Sequence, residues 1–337
     1  MNKYKAILEK YKQHLPIVTC VFLGLATSYL SVNYSLDNVC YRGIFNNILI
    51  KTWADVLSDA SLVKEYFFEL MAYGLGKSVG FAAAITLMTV FFLSIKLKYL
   101  GKITGDFYLG AFFYSCFYLL LLEGTVLRVA FALALIMVAI YYFKQQKYWK
   151  CFFLILLGSQ IHNSVILFLL LYPIYFIPKM SWVVSLLLIA SPLCFIFKFS
   201  LFSVISEVVG MVYPGFIGYR GRSQTVQNST GLFFPYIGFF SILLGGIYLY
   251  LREQILSDRF IRSMFLICMT GIALMWLFYD FVVVGARLGE MMLLPIVILL
   301  TALDINFKNR QLFYERMILY ATSSAYFTAR LWYLYIR

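Results

Sequence analysis

The stretch CFFLILLGSQIHNSVILFLLLYPIYFI, residues 151–177, contains no Asp, Glu, Lys or Arg. As one straight helix its 27 residues would run about 40 Å at 1.5 Å per residue, too long for a hydrocarbon core of about 30 Å unless strongly tilted. As two full spans it is too short. The later cations arbitrate. With the N-terminus inside, a single crossing would leave Arg252, Arg259, Arg262, Lys308, Arg310 and Arg316 all outside. A reversal at His162 puts every one of them inside, where loop Lys and Arg accumulate. The stretch therefore predicts two short helices meeting at QIHNS (160–164) near the outer side. Irregular backbone there requires burial in protein or a wet cavity.

The rest of the chain agrees with a membrane reading. Hydrophobic residues make up 63% and charged residues 13%, against about 25% charged in a soluble domain. The fold class read from this is an all-α, polytopic integral membrane helical bundle, a single domain over residues 1–337, with about 10–11 transmembrane helices. Expected spans are Leu15–Tyr34, Ser78–Ile95, Phe107–Leu122, Leu127–Phe143, the broken pair, Ser181–Phe197, Phe233–Leu251, Met264–Val284, Leu288–Leu303 and Phe313–Tyr335. The first of these lacks a small-residue cleavage site and reads as a span rather than a signal peptide. Two larger outer loops, about 35–77 and 198–230, separate spans.

The net charge of +13 sits in short clusters between spans, among them Lys96, Lys98 and Lys102, and Lys144, Lys147 and Lys150. Such clusters orient a membrane protein, and no nucleic-acid partner is implied. The six cysteines fall in six different segments, which is neither a disulfide framework nor a metal-ligand spacing. No metal site and no cofactor is expected.

Ionisable groups in or beside spans are costly and mark functional sites. Four places qualify, all toward the outer face in this threading. Glu123 and Arg128 flank the turn EGTV and are close enough in sequence to pair. His162 and Ser164 lie in the helix break beside Gln160 and Asn163. Arg287 and Glu290 stand where a span begins. Arg220 and Arg222, with Tyr213 and Tyr219, occupy a Gly-rich outer loop. Several outward arginines suit a diphosphate, which guanidinium binds bidentately. An imidazole takes a proton from a hydroxyl. Together these are the needs of group transfer from a lipid diphosphate to an alcohol.

The segment EGTVLRVAFALALIMVAIYYFKQQKYWKCFFLILLGSQIHNSVILFLLL (123–171) resembles the central signature of the EpsG/Wzy-like exopolysaccharide and O-antigen polymerases. An Arg opens an Ala-rich helix (Arg128), a Lys-containing turn follows, and a short apolar helix ends in a His with Ser two residues on (His162, Ser164). Upstream, EYFFELMAYGLGKSVGF resembles the family's acidic segment, with Glu69 at the acidic position; downstream, ARLGEMMLLP supplies Arg287 and Pro295. Val129 stands where Gln commonly follows the Arg, and Glu69 precedes Leu70 and Met71 instead of a Pro-Gly turn.

The resemblance implies a bacterial polysaccharide polymerase working at the outer face of the plasma (inner) membrane, N-terminus cytoplasmic, without a metal. It would move a growing glycan from a polyprenyl-diphosphate carrier to the non-reducing end of a lipid-linked repeat unit. The substrate is then a polyprenyl-diphosphate-linked oligosaccharide among membrane lipids. A chain-length regulator and a flippase of the same pathway are candidate partners. Arg128 and Arg287, with Arg220 or Arg222, Ser164 and Tyr219, would hold diphosphate or sugar. His162 would be the base or the group that orients the acceptor, with Glu69 and Glu123 in reserve. The composition alone also admits a lipid-linked oligosaccharide flippase or a multi-pass O-acyltransferase.

Overall fold

A computed structural model describes residues 2–35, 37–58, 65–199 and 233–336. Among these there is no strand, and the chain is the all-α membrane bundle that its composition predicts. Five helices among the described residues are long and apolar enough to cross a membrane: His14–Tyr34, Phe81–Thr104, Leu127–Lys144, Phe233–Ser257 and Arg259–Leu277. A pair bent by 46°, Val282–Met292 with Ile296–Asn309, makes a sixth. Phe107–Glu123, Tyr148–Ser159, Asn163–Phe176 and Met180–Ile196 are apolar but shorter. The spans expected over Phe107–Leu122 and Ser181–Phe197 appear at nearly those bounds, and the one expected over Leu288–Leu303 falls within the bent pair.

Two compact units divide the chain. The first comprises residues 1–168 and 307–337. It opens with α1 (Asn2–Tyr34), followed by α2 (Asn38–Ile50), α3 (Trp53–Ser58) and α4 (Tyr66–Val79). The segment read as an outer loop is therefore largely helical. Its helices are amphipathic, which a search for wholly apolar runs passes over. Helix α2 buries Tyr41, Phe45 and Ile48, and α4 buries Phe68, Ala72, Tyr73 and Gly76. The two faces pack together, with Phe45 edge-on to Phe68 at 6.3 Å between ring centres. At Gly76 a side chain would meet the Phe45 ring at 3.3 Å, so the glycine sets the helix spacing.

Gly80, at φ +79°, breaks α4 from α5 (Phe81–Thr104); that conformation excludes most side chains. The span predicted over Ser78–Ile95 therefore starts later and runs nine residues further. Lys96, read as part of an inter-span cluster, is buried inside it. Gly105 at φ +82° ends α5, and Asp106 caps α6 (Phe107–Tyr114) by accepting from the Leu109 N–H at 3.0 Å. This helix continues as a π-helix, Ser115–Glu123, before α7 (Leu127–Lys144) and α8 (Tyr148–Ser159).

Helix α7 is buried on nearly all sides, between α5 and α8. Its alanines allow that closeness, and Phe131 stacks on Phe92 of α5 at 5.0 Å. Lys144, from the next expected cluster, donates to the Ile103 carbonyl at 2.6 Å, a cation at the end of helix α5 where carbonyls lack partners. The chain then turns at Gln160–His162 and continues as a 3₁₀ helix, Asn163–Leu170, so the predicted break falls at QIHNS.

The second unit, residues 169–306, holds α9 (Leu171–Phe176), α10 (Met180–Ile196), α11 (Phe233–Ser257), α12 (Arg259–Leu277), α13 (Val282–Met292) and α14 (Ile296–Asn309). Helix α12 packs against α10, α11 and α13. The span expected over Met264–Val284 instead stops at Leu277, where Phe278 and Phe281 fold into an apolar cluster with Leu274, Leu277, Val284 and Leu288. Gly271 and Gly289 face each other where α12 meets α13; a methyl at Gly271 would lie 2.9 Å from the Gly289 carbonyl oxygen. Small residues at a crossing are how membrane helices approach closely. The first unit closes with α15 (Phe313–Leu331), which packs on the π-helix, Tyr326 stacking on Phe117 at 4.9 Å.

Candidate functional site

The break after α8 is built from backbone. Both the Ile161 and His162 N–H groups return to the Gly158 carbonyl, at 2.9 and 3.0 Å, which closes the helix. Gly158 itself lies against α7, where a methyl would come within 3.5 Å of the Ala132 carbonyl oxygen. The Gln160 carbonyl, left without a helical donor, accepts from the Phe67 N–H at 2.9 Å. Phe67 is the second residue of α4, whose first-turn N–H groups likewise lack helical partners. Two helix ends thus satisfy each other, and the residue preceding α4 is drawn to the break.

That residue is Glu65. It occupies the N-cap of α4 but its side chain does not cap the helix, which leaves both oxygens for other partners. Oε1 accepts from His162 Nδ1 at 2.5 Å, and Oε2 pairs with Arg128 Nη1. Arg128 is the second residue of α7, a helix end that disfavours cations, so it needs this carboxylate. Its backbone N–H is directed at Tyr41 Oη of α2, 3.4 Å away, and its guanidinium carbon lies 5.9 Å from the centre of the Phe68 ring. On the far side of the imidazole, Nε2 is 3.1 Å from Ser164 Oγ.

Burial tends to raise the Glu65 carboxyl, but the hydrogen bond and charge of His162 and the charge of Arg128 outweigh it and hold the group below its ordinary value. An ionised carboxylate only accepts hydrogen bonds, so Nδ1 carries the imidazole proton donated to it. In the neutral imidazole Nε2 is then the acceptor. The side chains of Glu65, His162 and Arg128 are 14%, 20% and 35% exposed, a gradient that keeps the carboxylate inside and leaves Arg128 within reach of a ligand.

The other predicted residues are placed differently. Glu123 does not pair with Arg128. Its Oε1 lies 2.5 Å from Lys96 Nζ, and Tyr114 Oη donates to the same carboxylate, 2.7 Å from Oε2. Lys96, Tyr114 and Glu123 are all buried. The π-helix ends at Glu123, and α5 carries Lys96 beneath it, a partner that sequence distance concealed. Glu69 lies one turn beyond Glu65 on α4, 3.4 Å from Lys51 Nζ. Arg287 is exposed on α13 in the second unit, while Gly285 and Gly289 are buried. Arg220, Arg222 and Tyr219 lie outside the described residues. Among the described residues no three His, Cys, Asp or Glu side chains are grouped as metal ligands would be.

The acidic residue at the break is Glu65, not the Glu69 that the resemblance points to. Both stand in EYFFEL, on one helical face, and the first opens the very segment that carries the resemblance.

A family model, EpsG family, matches residues 14–337. The chain belongs to the EpsG family. No curated protein and no solved structure matches it. EpsG membership supports a polysaccharide polymerase-like role in general, and the apolar helices make this EpsG-family chain a multi-pass membrane protein.

Proposed function

We propose that this EpsG-family protein is a polysaccharide polymerase. It transfers a growing glycan from polyprenyl diphosphate to a hydroxyl at the non-reducing end of a lipid-linked repeat unit, at the outer face of the bacterial plasma membrane. The observation that carries the reading is the Glu65 carboxylate shared between His162 and Arg128. It fixes a proton acceptor and a phosphate-binding cation on one rigid group.

In the reaction the acceptor hydroxyl displaces Ser164 Oγ from His162 Nε2 and binds there. Its oxygen attacks the anomeric carbon of the donor, its proton passes to Nε2, and the bond from that carbon to the diphosphate oxygen breaks. Arg128 takes up the charge of the departing diphosphate, a bidentate pairing for which guanidinium is suited. Roles for Arg287, for Arg220 or Arg222 and for Tyr219 in holding diphosphate or sugar are part of the same proposal. With these cations holding the leaving group, the reaction runs without a metal. Glu65 orients the imidazole and stabilises its protonated form, as the carboxylate of an acid–base triad does. Glu69 and Glu123 have other partners, so Glu65 takes the carboxylate role. A chain-length regulator and a flippase are its partners in the same pathway.

The test is replacement of His162 and Arg128 by Ala in cells, with the glycan resolved on a gel. Accumulation of single-repeat material is expected. A full-length ladder from both variants would sink the reading. Ser164→Cys labelled only from the inner side would overturn the outward location.

The order Glu65, His162, Ser164 also supports a second reading, acyl transfer through a serine ester. Ser164→Ala distinguishes the two. A polymerase keeps making polymer at a reduced rate, whereas a serine nucleophile cannot be replaced by a methyl group.

A further inference from the structure

We propose that the face of α4 leading away from Glu65 binds the glycan of the substrate, with Trp53 as its stacking platform. The proposal rests on Glu65, His162 and Arg128 being the transfer site. Glu65, Glu69, Tyr73 and Lys77 recur every fourth residue, so they lie along one side of the helix. From the first to the last the face runs about 18 Å at 1.5 Å per residue.

Each position on that face carries a polar group or a ring. Glu69 is joined to Lys51 at 3.4 Å. Tyr73 is buried beneath Trp53, their ring centres 4.5 Å apart and inclined at 69°. Lys77 Nζ donates to Tyr73 Oη at 2.7 Å. Trp53 rests on Gly74, where a methyl would lie 3.9 Å from Cη2, and 51% of the residue remains exposed.

Trp53 is also held in advance of any ligand. It is the first residue of α3, and that helix start is pinned by Thr52, whose N–H and hydroxyl both donate to Asp55 Oδ2, at 2.8 and 2.7 Å. An indole fixed from below and open above costs little entropy to use.

The surroundings decide what it receives. A pyranose offers a face of C–H groups to an aromatic ring and a rim of hydroxyls to hydrogen-bonding groups. Trp53 supplies the ring. Lys77, bonded to the Tyr73 that Trp53 covers, and the Lys51–Glu69 pair on the same face of α4 supply charged donors and an acceptor. Few polar groups around an aromatic floor are the usual make-up of a small-molecule site. A tryptophan that anchors in a bilayer has one side in lipid; this one stands between Lys51 and Asp55 in sequence and covers the Tyr73 ring, whose hydroxyl accepts from Lys77. The face begins at the carboxylate that orients His162, so a glycan lying on it has one end at the reacting centre.

The test uses the full chain in nanodiscs and, as probe, the oligosaccharide repeat unit released by mild acid from the lipid carrier of the producing cells. The Trp53 fluorescence is taken as the difference between the native protein and Trp53→Phe. The oligosaccharide should shift and saturate that difference signal. Trp149→Phe, which removes a tryptophan on α8, should respond like the native protein. In a transfer assay Trp53→Ala and Lys77→Met should raise KM for the lipid-linked unit by about tenfold and about threefold.

A Trp53 signal quenched by brominated acyl chains and unmoved by oligosaccharide would overturn the proposal and make the residue a membrane anchor. Unchanged KM in both variants would also overturn it. If Trp53→Ala does not fold, the Trp53→Phe difference signal and Lys77→Met still decide. His162→Ala separates the two readings. Loss of transfer with the oligosaccharide response intact supports both. Continued transfer with the response intact removes the His162 role and leaves the binding face standing.

Discussion

Among the described residues of the first unit, Glu123 and Glu65 both meet cations, and they are used in opposite ways. Glu123 is closed in on itself: Lys96 and Tyr114 take its oxygens, and all three side chains are buried. Nothing in that group is left to meet a ligand. Glu65 also gives each oxygen to a partner, but both partners keep capacity to spare. His162 Nε2 meets the Ser164 hydroxyl at 3.1 Å, a neutral partner that a substrate hydroxyl can displace, and Arg128 has further N–H donors and is 35% exposed. A charge that satisfies its partners completely holds helices together. One that leaves its partners half-used can act on something else.

The sharpest way to break this comparison is to neutralise each carboxylate's group in turn. Glu65→Gln keeps the shape but no longer fixes the imidazole proton on Nδ1, and transfer should fall by about 10²–10⁴-fold, read as glycan formed per folded protein. A loss smaller than tenfold would show that Glu65 is merely structural. Lys96→Met should do the reverse. It leaves a buried carboxylate unpaired, at a cost of about 3–5 kcal/mol, read as a lowered unfolding midpoint in detergent. The double change Lys96→Met with Glu123→Leu should recover most of that loss. A double variant as unstable as the single would remove the ion pair from the explanation.

A smaller effect separates the two through pH. The Glu65 carboxyl is held below its ordinary value of 4.5. A depressed carboxyl contributes stability that is fully present above that value and is lost as pH falls through the lowered one. The stability difference between native protein and Glu65→Gln should thus shrink as pH falls below 4.5 through the lowered value. Smallest of all should be Lys51→Met. Its pair with Glu69 is about a quarter exposed, and such pairs contribute under about 1 kcal/mol.

Much of the fold is legible in the sequence because hydrocarbon selects strongly. Apolar runs locate α5, α7, α11 and α12, and the placement of cations locates the break at His162. Helices α2 and α4 escape that reading because each is apolar on one face only; their signal is the spacing of Tyr41, Phe45 and Ile48, and of Phe68, Ala72 and Gly76. Lys96 escapes it because a lysine near the end of an apolar run looks like a loop residue until Glu123 is brought beside it. At the site, Arg128, His162 and Ser164 stand out as polar residues in apolar surroundings. Glu65 does not, since it shares a helical face with Glu69. Only the long-range bond between the ends of α4 and α8 distinguishes the two.

That bond, from the Phe67 N–H to the Gln160 carbonyl, contains no side-chain atom. The frame of the site is therefore indifferent to what residues 67 and 160 are, so long as the two helix ends keep their places, and drift at either position leaves Glu65 where it is. One residue is the exception. Proline is tolerated in the first turn of a helix but has no N–H to give. Phe67→Pro should leave α4 formed and untie it from the break, costing transfer without removing any group that takes part in it.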